Sequence, residues 1–118
     1  MGGNADQEAV EQYYRHVDNK DFNKLFELMA DDIIYYHGID EIYDGLPEVK
    51  EMYNNVTHQE IEHNIEQILV EGDSAAVRGT TWALTEEGTE RNTRFALFHD
   101  FNEEGKIKEQ RLYLNTVD

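Results

Sequence analysis

With no cysteine in the chain, the side chains able to exchange a proton near neutral pH are five histidines among 118 residues. His37 stands out, closing the apolar run of "LMADDIIYYHGIDEIYDG" just before an acidic turn. A free imidazole, with a pKa of about 6.5, is a competent general base at neutral pH. Asp40 and Glu41 lie close enough in sequence to supply a carboxylate that raises its basicity. The plainer alternative is a half-buried histidine at a strand end, satisfied by a backbone carbonyl. His63, between Ile61 and Ile65, and His99, between Leu97 and Phe101, are polar residues inside apolar stripes. They read as cavity-lining residues or as hydrogen-bonded members of the core. No HExxH or paired carboxylate–histidine pattern appears, so no metal site is expected. No phosphate-binding glycine loop or GxSxG elbow appears either, and no cofactor is expected.

The elements that must position these groups follow from hydrophobic spacing. Val10, Tyr13, Tyr14 and Val17 stand at i, i+3, i+4 and i+7; so do Phe22, Leu25, Phe26 and Met29, and again Val49, Met52, Tyr53 and Val56. Each set predicts an amphipathic helix with one buried stripe. Asn4 with Gln7 resembles a capping box, Asp21 is placed to cap the second helix, and Pro47 fits the first turn of the third. Asp18-Asn19-Lys20 reads as the turn between the first two helices.

Beyond Val56 the texture becomes β-rich. Runs at 61–70, 75–84, 93–101 and 107–117 are separated by glycine-bearing turns, which suggests hairpins. Ile33–His37 and Glu41–Tyr43 predict a shorter pair before the third helix. Helices first and a meander afterwards give a single α+β domain over 1–118, with helices packed on one face of a curved sheet. Along one strand Arg78, Thr80 and Trp82 share a face opposite Ala75, Val77 and Gly79; along the next, Phe95, Leu97, His99 and Phe101 share one.

Twenty-six acidic against ten basic residues give a net charge of −16, spread over every segment. Such a surface repels phosphate backbones and anionic membranes, so neither nucleic acid nor membrane is expected as a partner. The charge fits either a solvated, soluble surface or a salt-rich cytoplasm. No apolar run approaches a membrane span and no signal peptide is apparent. Together with the lack of cysteine, this agrees with a cytoplasmic location.

In order and spacing, "YYRHVDNKDFNKLFELMADDIIYYH", "YDGLPEVKEMY", "VEGDSAAVRGTTW" and "FHDFNEEGKIKEQRLYL" resemble the nuclear-transport-factor-2-like superfamily, which includes ketosteroid isomerase and the SnoaL-like polyketide cyclases. The resemblance implies a cone-shaped fold with a deep pocket for a small hydrophobic molecule, and a homodimer through the outer sheet face. It places Tyr13 as an oxyanion-holding tyrosine, Tyr53 as its supporting tyrosine and His37 where the isomerase has its catalytic base. Leu97 falls where the isomerase has an aspartic acid, and Leu112 where cyclases often carry an acid. Both departures make the pocket more apolar. The same resemblance turns the Arg78 face inward, where an arginine invites a carboxylate or enolate partner; the plainer alternative is a strand-edge arginine paired with a surface acid, and Trp82 reads as a pocket wall or a core plug. Tyr14, His63, Arg78, Trp82, Phe95, Leu97, His99 and Leu112 are the candidate ligand-binding residues. It leaves two readings open: side-chain-driven proton transfer of isomerase, cyclase or dehydratase type on a carbonyl compound, or a module that binds a ligand or a protein without chemistry.

Overall fold

The computed structural model describes residues 3–55 and 58–117, with no side-chain placement for 58, 59, 116 and 117. In chain order the elements are α1 (Gln7–Asp18), α2 (Phe22–Glu27), β1 (Met29–His37), β2 (Glu41–Asp44), α3 (Leu46–Asn54), β3 (His58–Glu71), β4 (Ser74–Thr85), β5 (Glu90–Phe101) and β6 (Ile107–Val117). The strands form one mixed sheet in the order β2-β1-β6-β5-β4-β3. All neighbours are antiparallel except β1 and β6. The parallel pair arises because β1 precedes the third helix and the long meander, whose last strand returns beside it.

The helical stripes bury as their spacing requires. Val10, Tyr13, Tyr14 and Val17 of α1, Leu25 of α2 and Val49 and Tyr53 of α3 all enter one core with Ile33, Tyr35, Leu97, Phe101 and Ile107 from the sheet. Val56, the last member of the third stripe, lies outside the described residues. α2 is shorter than its stripe. It ends at Glu27, and Met29 instead opens β1, where the Leu28 carbonyl accepts from the Ile107 N–H at 2.8 Å. Sheet pairing there overrides the helical period. The α1 cap also differs from expectation: the Asp6 carboxylate accepts from the Glu8 N–H at 3.0 Å, while the Asn4 N–H donates to Asp73. Asp21 occupies the cap position of α2 but makes no side-chain cap bond. Pro47 lies in the first turn of α3.

One defect in the sheet shapes the interior. The β3–β4 register slips between Ile65 and Gln67, so β3 turns Ile61, His63 and Ile65 inward, then Ile68. Opposite the slip lies Gly79. A Cβ there would sit 2.1 Å from the Asn64 carbonyl oxygen, so only glycine permits the two strands to approach so closely.

Candidate active site: an apolar cavity with two histidines

A cavity of about 280 Å³ opens between the three helices and the inner face of the sheet. Its walls are mostly apolar: Val17, Met52, Ile61, Phe95, Leu97 and Leu112 all contribute. Tyr13, Tyr14, Tyr35 and Tyr53 add rings with hydroxyls, and His37 and His63 add imidazoles. Lys20 and Arg91 also line it. Among the described residues no carboxylate side chain does so.

Tyr13 and Tyr53 belong to the stripes of α1 and α3, so burying those stripes brings their hydroxyls together at 2.5 Å. The Tyr35 hydroxyl, on β1, interacts with both. Burial pushes the pKa of all three phenols up, because a phenolate would be stripped of water there. Each therefore stays neutral and serves as a hydrogen-bond donor. If Tyr53 donates to Tyr13, the Tyr13 proton is freed for a ligand oxygen in the cavity.

His37 ends β1, where its main chain pairs with Glu41 of β2 and Leu112 of β6. Its ring reaches the cavity, but its side chain is 34% exposed, and its Nδ1 lies 3.6 Å from the Glu41 carboxylate, which is 57% exposed. The carboxylate expected from the acidic turn is present but loosely placed.

His63 is held far more tightly. Its main-chain N–H donates to one oxygen of Asp18 at 3.0 Å, and its ring Nδ1 lies 2.5 Å from the other. The rings of Tyr14 and Phe95 pack against the imidazole with centroids at 5.1 and 5.5 Å.

Three expected ligand-binding residues do not line the cavity. Arg78 and Trp82 lie on the outer sheet face: Arg78 bonds Gln67 and Glu66, and the Trp82 indole donates to Glu90 at 2.9 Å. The small face of β4 turns inward instead, because Ala75, Val77 and Gly79 make room for the core while a guanidinium turned inward would need a buried partner. His99 does face inward, but it is fully buried behind the cavity wall. Its Nδ1 lies 3.1 Å from the Gln110 amide and its Nε2 3.1 Å from the Tyr14 hydroxyl. Burial holds its pKa down at about 3, so the ring is neutral. The Gln110 side-chain oxygen is buried with no hydrogen-bond partner among the described residues.

Asp18, Tyr35 and Gln110 were not singled out in the sequence. Tyr35 carried a usable signal, alternating with Ile33 and His37 along β1. Asp18 carried none, since its partner lies 45 residues away. Among the described residues no group of three or more potential ligands could hold a metal ion, and no helix is long and apolar enough to cross a membrane.

No curated protein sequence matches the chain. Several solved structures share its fold. An NTF2-like protein of unknown function from Exiguobacterium sp. 255-15 superposes with a TM-score of 0.81 at 19% identity, over 91% of this chain and 98% of that one. The epoxide hydrolase/cyclase-like enzyme SalBIII, described in pyran ring formation in the polyether salinomycin, gives 0.83 at 21% identity, over 92% and 89%. A Mycobacterium tuberculosis protein solved with estradiol-17β-hemisuccinate gives 0.80 at 19% identity, over 91% of each chain. At such identities these likenesses establish the fold. The family itself is set by the sequence, which matches the SnoaL-like domain model over residues 10–110: the chain belongs to the SnoaL-like domain family.

Proposed function

We propose that the cavity binds a small hydrophobic compound through a carbonyl oxygen and promotes loss of a proton from the adjacent carbon, using side chains alone. The observation that carries this reading is the Tyr13–Tyr53 hydroxyl pair in a mostly apolar wall. A hydroxyl supported by a second donor is placed to stabilise the negative charge that grows on a carbonyl oxygen during enolisation. The proton leaves to an imidazole, since His37 and His63 both open on the cavity. Isomerisation, aldol-type cyclisation and dehydration all use that first step. The relatives support the substrate class: one acts in ring formation and another holds a steroid ester.

The test uses 2-naphthol, which places an enol-like oxygen on an apolar body, with naphthalene as the control. Tyr13→Phe is expected to weaken 2-naphthol roughly tenfold, the worth of one good hydrogen bond, and to leave naphthalene unchanged. Equal binding of both compounds, indifferent to Tyr13→Phe, contradicts the reading. That outcome favours a carrier without chemistry, which Leu97 and Leu112 suit because each leaves a cavity position without a polar group.

We also infer that two copies associate through the outer sheet face. Phe98 and Tyr113 meet edge to face there, 46% and 55% exposed, an apolar pair that water covers poorly.

A further inference from the structure

With 26 acids in its sequence, the chain shows no carboxylate in the cavity wall among the described residues. Lys20 and Arg91 are cations with no site for a further proton, and burial keeps the phenols of Tyr13, Tyr35 and Tyr53 protonated. Among the described residues, the groups of the wall able to take up a proton are therefore the rings of His37 and His63. Their surroundings differ. The His37 side chain is one-third exposed; its ring leans on that of Tyr35 with centroids 5.7 Å apart, and 3.6 Å separates it from an exposed carboxylate, so water competes for its polar atoms. The His63 side chain is 13% exposed and is pinned to Asp18 through its main chain and its ring at once.

We propose that Asp18 and His63 form the proton-transfer dyad of this cavity, with His63 Nε2 as the base and Asp18 as its positioning residue. An ionised carboxylate only accepts hydrogen bonds, so the ring proton sits on Nδ1 and the lone pair on Nε2. The carboxylate remains next to the imidazolium that forms on proton uptake. The dyad also separates two environments. His63 and Lys20 line the apolar cavity, and on the other side both join Asp18, Glu60 and Glu62 around a polar cleft. Asp18, 25% exposed there, keeps contact with water while its partner faces the ligand.

The substrate class, though not the dyad, rests on the carbonyl-binding reading. On such a ligand the Nε2 lone pair takes a proton from the carbon beside the carbonyl. The C–H electron pair becomes the C=C bond of an enolate, and the carbonyl π pair moves onto the oxygen held by Tyr13. Return of the proton from Nε2 to another carbon completes an isomerisation, with no co-reactant consumed.

The experiment uses 5-nitrobenzisoxazole, whose opening needs a base but no carbonyl. Loss of its C3 proton forms the third C–N bond of a nitrile while the N–O pair departs as a coloured phenolate. The wild-type protein is expected to exceed free imidazole at equal concentration. His63→Gln and Asp18→Asn are each expected to lower the rate about 100-fold, the usual worth of a positioned base. His16→Gln, on α1 outside the cavity, is expected to leave it unchanged. In parallel, nitrogen-15 spectra of the wild-type imidazoles are expected to show His63 protonated at Nδ1, with the tautomer reversed in Asp18→Asn. A rate no greater than that of imidazole, a rate lost in His37→Gln but kept in His63→Gln, or a His63 proton on Nε2 in the wild type would each overturn the dyad. Indifference of 2-naphthol to Tyr13→Phe beside a rate that still depends on His63 would leave the dyad standing and refute carbonyl binding alone.

Discussion

The Tyr13 hydroxyl lies 2.5 Å from the Tyr53 hydroxyl, joining α1 to α3 in the wall of the cavity. Both rings are almost completely buried, at 3% and 6% exposure. Removing either hydroxyl strips the other of this bond where water cannot easily replace it. Tyr53→Phe is therefore expected to cost about 1–3 kcal/mol in urea denaturation. The double variant Tyr13→Phe/Tyr53→Phe is expected to cost less than the sum of the two single changes, because no hydroxyl of the pair is left behind. Strict additivity contradicts a bond between them.

His99 links stability to pH. The folded state holds it neutral with a pKa of about 3, whereas the unfolded chain takes up a proton near the ordinary value of 6.5. Unfolding thus gains a proton below pH 6.5, and the stability held above that value falls with pH until about 3. The loss over that window is on the order of a few kcal/mol. His99→Gln keeps a polar side chain but removes the titration, so its stability profile is expected to be flatter than that of the wild type. Parallel profiles from pH 7 to pH 4 would show that His99 is not buried neutral.

Gly79→Ala drives a Cβ into the Asn64 carbonyl oxygen, a backbone atom that cannot rotate aside. The expected cost is about 1–3 kcal/mol. Because Asn64 follows His63, the displaced strand also carries the imbalance to the dyad. The variant is expected to lose rate on 5-nitrobenzisoxazole at temperatures where circular dichroism shows it folded. Full rate with full stability means that the strands are not in contact there.

The outer face offers a separate check. Phe98→Asp places a charge in the exposed apolar pair and is expected to shift sedimentation from dimer to monomer without changing ligand binding. A wild-type protein that sediments as a monomer at all concentrations refutes the association.

Much of the fold was legible because helix stripes obey a period the core enforces. Tyr13 and Tyr53 entered the core through the same i, i+3, i+4 pattern that announced their helices. The phase of β4 was harder to read, because alanine, valine and glycine opposite arginine, threonine and tryptophan form no clear apolar face. The inward side was decided by room for the core and by the cost of burying Arg78. Met29 fitted a helical stripe, yet pairing with Ile107 claimed it for β1. Asp18 was hidden for another reason. An aspartate before Asn-Lys at a helix end has the composition of a turn, and its partner His63 lies on β3, 45 residues further along the chain. The resemblance drew attention to His37, which lines the cavity but is one-third exposed and only loosely held by Glu41.

The most direct test is exchange of the α-protons of 2-tetralone, a small hydrophobic ketone, into deuterium oxide, followed by proton NMR. The expected result is exchange faster than with an equal concentration of imidazole, slowed by Tyr13→Phe and nearly abolished by His63→Gln. Exchange no faster than with imidazole, or unaffected by both substitutions, contradicts a cavity that holds a carbonyl oxygen and removes the neighbouring proton.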